Sequence, residues 1–315
     1  MATLQGWLLT TGILISAASF KIFAEPPPLC SGPNAFLSIV NRPTVADSAC
    51  TVPTNKMVFE LGYQAMKLDE HSQIQNFPNS ELRFGLPWNS EFFVFLPNYN
   101  RQKMISSSET EKSSNEPPAL MKPNQPAKTQ NSESKEISKG LSEMFNDNTS
   151  TTTRFSGLSD TIMGFKHIVK GSKKMLLTFE ASITPPSGSK YFGSAGTEAL
   201  VAGIFNYKLT KKLATVFQLS FTTLTDSKFD GGRRYNSVNP DAVISWSLKD
   251  NLQIYGEIFG QSKTGPDEGS GFNMDAGIEY LLAKNITIDL SAGQRISGQL
   301  WSLENYINTG MAVQF

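Results

Sequence analysis

From about residue 56 to the C-terminus the chain falls into about twelve segments in which apolar and polar side chains alternate, and the connections between them are short and long by turns. The segments run roughly 56–66, 79–86, 90–99, 157–169, 174–184, 198–209, 212–224, 240–248, 251–262, 272–282, 285–295 and 305–315. Short joins stand at Pro87-Trp88-Asn89, Lys170–Lys173, Thr210-Lys211, Lys249-Asp250 and Ala283-Lys284, and long ones at 67–78, 100–156, 185–197, 225–239, 263–271 and 296–304. A soluble all-β domain has no reason to alternate its loops in this way. A bacterial outer-membrane barrel does, because its periplasmic turns are tight and its external loops longer. The expected fold is all-β: a transmembrane antiparallel up-and-down β-barrel over 56–315, with both termini in the periplasm and a short N-terminal segment outside the wall.

The alternation inside the segments says which face meets lipid. Met175, Leu177, Phe179, Ala181 and Ile183 alternate with Leu176, Thr178, Glu180 and Ser182, and Ile286, Ile288, Leu290 and Ala292 repeat the pattern. A charge on the lipid face near the midplane costs roughly 2–4 kcal/mol, so charges are expected to point inward. The lumen-lining candidates are Glu60, Arg83, Lys166, Glu180, Glu257, Asp275, Glu279 and Asp289, joined by Glu198 and Asp241. Acids outnumber bases, so a lumen left unneutralised favours cations. Pairing of Arg83, Lys166 and the N-terminal segment with these carboxylates gives instead a stiffened, plugged barrel. Twelve strands lie between the filled eight-stranded and the open sixteen-stranded cases, and a narrow pore is expected.

The last strand, Asn305 to Phe315, places Ile307, Thr309, Met311, Val313 and the terminal Phe315 on one face. This is the pattern expected of a signal to the barrel-assembly machinery. Aromatics gather near strand ends: Trp88, Tyr207, Trp246, Tyr280 and Phe315 on the turn side, Tyr63, Tyr99 and Tyr306 on the loop side. Such girdles sit at headgroup level. The expected location is the Gram-negative outer membrane, with lipid and lipopolysaccharide as surroundings.

Before the wall, an apolar run from Trp7 to Ala18 is too short to span a bilayer, and small residues at Ser16-Ala17-Ala18 and Ala24 offer cleavage sites, so 1–24 reads as a secretory signal peptide. The two cysteines, Cys30 and Cys50, then meet an oxidising periplasm and are expected to pair. Closing that loop stabilises it by roughly 3 kcal/mol through loop entropy. Residues 25–55 are expected to form a compact segment, either below the barrel or inside it as a plug. The stretch 103–152 is rich in Ser, Glu, Lys, Asn and Pro, with little to bury, and is expected to be a disordered insertion in an external loop.

The formal net charge is zero with acids and bases mixed, which leaves no electrostatic footprint for nucleic acid. Two thiols are too few for a zinc site, and no metal or cofactor is expected. An outer-membrane hydrolase would need a serine beside a histidine. Of the two histidines, His167 is followed by Ile168 and Val169, while His71 sits among Asp69, Glu70 and Ser72. A protease groove would need loop acids, for which Asp226, Asp230, Asp267 and Glu268 are available. Neither pattern makes a catalytic motif, and no enzyme is expected.

Several segments carry a further likeness: NAFLSIVNRPTVADSACTVP, FELGYQ, ELRFGLP, FGSAGT, RRYNSVNPDAVISW, QSKTGPDEGSGFNMDAGIEYLL, GQRISG and the terminal GMAVQF. Together they resemble the family named for the MetA pathway of phenol degradation, over about 34–315 apart from the polar insertion. The resemblance implies a transporter-like barrel that passes small solutes, small aromatic or hydrophobic molecules among them. It carries over no catalytic or ligand residues. The alternative class is a structural or adhesion barrel whose external loops, the insertion above all, bind a partner.

Overall fold

The structure, a computed structural model, describes residues 25–69, 72–106, 151–227 and 231–315. Fourteen strands are present among them: β1 (Met57–Asp69), β2 (Ser72–Leu86), β3 (Ser90–Phe95), β4 (Tyr99–Ser106), β5 (Thr151–Leu158), β6 (Ile162–Gly171), β7 (Met175–Thr184), β8 (Glu198–Lys208), β9 (Leu213–Thr225), β10 (Arg234–Lys249), β11 (Leu252–Gln261), β12 (Gly271–Ala283), β13 (Ile286–Ser297) and β14 (Asn305–Gln314). All pairings are antiparallel, and β1 bonds to both β2 and β14, so the sheet closes on itself. The closed ring holds twelve strands. The other two, β4 and β5, pair with each other, and β4 also bonds to the first half of β2. They continue β3 and β6 outward beyond breaks at 96–98 and 159–161. At those breaks Ser159 N donates to the Asn98 carbonyl at 2.9 Å, and Asn98 N to Ser159 Oγ at 2.8 Å, so the wall bends without leaving these groups unpaired.

Closure explains the burial pattern, which is inverted relative to a soluble protein. Phe179 is 45% exposed while its neighbour Glu180 is 3% exposed. Ile244, Ile258, Ile278, Ile288 and Met311 are likewise exposed. In water such a surface would drive aggregation; in hydrocarbon it is the favourable one. No helix among the described residues is long and apolar enough to cross a membrane, and the crossing is made by strands.

Three differences from the sequence reading concern what lies above the membrane. The expected long loop at 67–78 is mostly strand, with pairing that runs from Lys67↔Gln73 to Asp69↔Ser72. The expected loop at 225–239 is shortened because β10 starts at Arg234. The insertion begins later than expected, since 103–106 and 151–152 are paired strand; its remainder, 107–150, lies outside the described residues, as do the signal peptide, His71 and Asp230. The physical reason is common to all three. Beyond the hydrocarbon layer the outer face of a strand meets water, so alternation loses its apolar partner and polar strand reads as loop.

The N-terminal segment contributes no strand to the wall. It holds a 3-10 turn (Pro28–Cys30), one short α-helix, α1 (Ala35–Ile39), and the Cys30–Cys50 disulfide. Phe36, Leu37, Ile39, Val40, Ala49 and Cys50 form one buried apolar cluster with Val58, Ile168, Leu176, Ile204, Leu281 and Ala312, which face inward from β1, β6, β7, β8, β12 and β14. These strands span the circumference. The segment therefore makes contact with the inner face on all sides near the turn end of the barrel.

Candidate functional site

One group of the inward charges gathers at Arg83, which is fully buried on β2. Its guanidinium donates to Glu60 Oε1 at 3.0 Å and to both carboxylate oxygens of Glu91 at 3.0 Å, and also to the carbonyls of Ile39 and Cys50. Lys166 Nζ lies 3.2 Å from Glu91 Oε1 and donates to Asn41 Oδ1 at 3.4 Å. A buried guanidinium needs this many acceptors, because a buried unpaired charge costs several kcal/mol.

The N-terminal segment meets the wall through its backbone amides. Asn41 N and Arg42 N donate to the two oxygens of Glu60, each at 3.0 Å. Val45 N and Ala46 N donate to Glu257 at 2.8–3.0 Å, Asp47 N to Gln218 Oε1 at 2.9 Å, and Val52 N to Glu91 Oε2 at 2.7 Å. Arg42 reaches Asp289 at 3.2 Å and Asn308 Oδ1 at 2.7 Å. Its guanidinium occupies the space above Gly62 and Gly310, register partners on β1 and β14, where an added Cβ would fall within 2.2–2.7 Å of it. Burial pushes the Asp47 carboxyl above the usual range, against the lowering pull of Lys166 and Arg83.

Above this floor lies a cavity of about 290 Å³. Asn41–Val45 and Asp47 line it from below; Glu180, Glu198 and Asp241 from the wall; and Phe93, Phe95, Phe192, Phe259 and Tyr306 supply aromatic surface. The volume stands at the lower end of the range that holds small organic ligands.

All ten inward charges named from sequence are buried side chains here: Glu60, Arg83, Lys166, Glu180, Glu198, Asp241, Glu257, Asp275, Glu279 and Asp289. Only Glu60, Glu180, Glu198 and Asp241 among them line the cavity; Asp275, Glu279 and Arg83 do not. Sequence reading missed Glu81, Glu91, Arg42 and Asp47. Glu81 was detectable, being two residues from Arg83 and hence on the same face. Glu91 was hidden because its face-mate Phe93 is inward and apolar, packed over Gly164.

One aromatic expected in the girdle is elsewhere. Tyr306 faces inward, buried, and donates its hydroxyl to Asp275, because Ile307 takes the outward position on β14. Trp88, Trp246, Tyr280, Tyr99 and Phe315 are exposed; Tyr207 and Tyr63 are half-buried. Along the terminal strand Ile307, Thr309, Met311 and Phe315 are exposed, and Val313 is half-buried.

His167 has a partner that spacing alone could not reveal. Its Nδ1 lies 2.8 Å from Ser90 Oγ, its cross-strand register partner. The pair is on the outward face, where the ring stacks on Phe165 at 6.5 Å between centroids. Of the described loop acids, Asp226 is buried and Asp267 exposed, with Arg233 between them at 4.0 and 2.6 Å, and Glu268 accepts from Thr264 Oγ1 at 2.7 Å. No group of three or more His, Cys, Asp or Glu among the described residues is placed to hold a metal ion.

Comparison with known proteins agrees with this architecture. An outer-membrane channel from Pseudomonas putida F1 superposes with a TM-score of 0.57 at 9% identity, covering 87% of this chain and 100% of that one. A NanC porin superposes at 0.46 and 10% identity, over 82% of this chain and 98% of the other, and the CymD monoaromatic hydrocarbon channel at 0.40 and 9%, over 92% and 97%. No curated protein matches the sequence. The family model described as MetA-pathway of phenol degradation matches residues 130–308, more than half of the 315. The chain has the fold of an outer-membrane β-barrel and belongs to that family.

Proposed function

We propose that this protein is an outer-membrane channel for small solutes, aromatic and hydrophobic molecules among them, and that its N-terminal segment is a plug that must shift for solute to pass. One observation carries the reading: six backbone amides between Asn41 and Val52 are bound by wall side chains of β1, β3, β9 and β11. A segment that merely hung below the barrel would gain nothing from wall carboxylates aimed at its main chain. Glu60, Glu91 and Glu257 then act as plug holders, while Glu180, Glu198 and Asp241 face the solute. The lipid-facing stripe of Ile307 to Phe315 serves as the barrel-assembly signal, and lipopolysaccharide surrounds the outer rim.

Planar-bilayer conductance tests the reading. The full chain is expected to show rare, brief openings, and a form lacking residues 25–55 to conduct steadily. If neither form passes a solute-dependent current, the adhesion or structural alternative takes its place.

The Ser90–His167 hydrogen bond favours a second reading, a lipid hydrolase on the outer face. Phospholipid hydrolysis by the purified barrel, lost in Ser90→Ala and His167→Ala, is its requirement. Equal, background activity in all three removes it.

A further inference from the structure

The cavity above the plug holds more acceptors than its walls satisfy. Glu180 on β7, Ala202 on β8, Ser220 on β9 and Asn239 on β10 are register partners in turn, so they form one arc of the inner wall. Asp241 follows two residues along β10, on the same face. Asn239 Nδ2 donates to Ser220 Oγ at 3.0 Å and Thr222 Oγ1 at 3.1 Å, and its Oδ1 has no donor among the described residues. The same holds for Glu180 Oε2, Asp241 Oδ1 and Gln261 Oε1. Glu180, Asp241 and Gln261 are each more than nine-tenths buried, and all four residues line the cavity.

One wall base stands beside them, Lys166 on β6, the register partner of Glu180, and its ammonium is taken up by Glu91 and Asn41. Arg83 and Lys166, the buried bases among the described residues, do not line the cavity and are held by Glu60 and Glu91. Arg42 does line it, but its guanidinium is engaged by Asp289 and Asn308. The same cavity carries aromatic surface, from Phe93 and Phe95 on β3 and from Phe192 in the connection between β7 and β8. An unsatisfied buried acceptor is expensive, so the arrangement favours an occupant that brings donors and positive charge together with an apolar body.

The geometry points to a binding site for an organic cation, an ammonium group carried on a small aromatic frame. The inference rests on the channel reading and adds the class of solute. The ammonium shares its three N–H donors and its charge among these four acceptors, while the ring lies against the phenylalanines. A neutral analogue leaves the carboxylates without a counter-charge. A carboxylate analogue meets like charge.

Equilibrium binding of benzylammonium, benzyl alcohol and benzoate to the detergent-purified full chain tests this. Benzylammonium is expected to bind at least about tenfold tighter than benzyl alcohol, with benzoate weakest, in line with sites that read donors and charge. In the double variant E180Q/D241N the ratio of benzylammonium to benzyl alcohol affinity should fall toward one, and in Asn239→Asp it should rise. Equal binding of the three ligands, or a ratio unmoved by both variants, overturns the proposal. Retained heat-dependent gel mobility reports the folded barrel; if the double variant fails to fold, the three ligands on the unaltered chain and on Asn239→Asp decide. Binding does not require passage. A barrel that selects benzylammonium but never conducts refutes the channel and keeps the site, whereas one that conducts without charge preference does the reverse.

Discussion

Arg42, in the segment before the wall, and Asp289, on β13, form an ion pair at 3.2 Å although 247 residues separate them in sequence. Both side chains are largely removed from solvent, at 11% and 4% exposure, so neither charge has water to fall back on. The pair ties the mobile part of the proposed mechanism to the fixed part. Substituting Arg42→Ala leaves Asp289 buried and unpaired, a change worth about 3 kcal/mol. The closed state of the plug should lose that stability, raising open probability in bilayers about a hundredfold. An unchanged open probability would mean that the segment does not gate.

The glycine cradle gives an independent route to the same state. A Cβ on Gly62 would lie 2.2 Å from the Arg42 guanidinium, which must leave its position. Gly62→Ala is expected to raise conductance in the same direction as Arg42→Ala. Because both act on one contact, their effects should not add. The double variant compared with each single one supplies the measurement.

The disulfide closes the loop that contains most of the anchoring amides, those from Asn41 to Asp47. A Cys30→Ser/Cys50→Ser variant should lose roughly 3 kcal/mol of constraint on that loop. Hydrogen exchange of amides 41–47 should speed up, and channel openings should become insensitive to dithiothreitol, which increases them in the unaltered chain.

The proposed plug should also respond to pH. Burial raises the Asp47 carboxyl above its ordinary range, so the seated segment holds a proton that the released one gives up. The folded value is the higher one, and the associated stability is therefore present at low pH and lost as pH rises through that value. Lys166, Arg83, Glu91 and Glu180 face this carboxyl. Opening should increase as pH rises above the ordinary carboxylate range, and Asp47→Asn should flatten that part of the profile relative to the unaltered chain.

Lipid exposure makes a different prediction. Phe179 and Ile244 are 45% and 51% exposed on the outer face. Phe179→Arg or Ile244→Arg should destabilise the barrel by roughly 2–4 kcal/mol if near the midplane. Guanidinium unfolding in lipid vesicles measures it, with the half-buried, cavity-lining Gln218→Arg expected to cost less through lipid contact and to act on the plug instead.

The chain by itself determined the wall. Period-two alternation fixes which of Phe179 and Glu180 faces lipid, since a one-residue slip would turn every side chain over at once. The alternation of turn and loop lengths then fixes direction. Outside the hydrocarbon layer the same code fades, which is why Ser72–Asn76, paired strand here, reads as loop. What only the tertiary structure decided lies between distant residues. The pairing of β3 with β6 sets Ser90 against His167, the path of the N-terminal segment brings Val45 N to Glu257 and Arg42 over Gly62 and Gly310, and Asn239 Oδ1 and Asp241 Oδ1 are left without donors. Those relations depend on the register and on the path of a non-repetitive segment through the barrel, and neither has a local period to read.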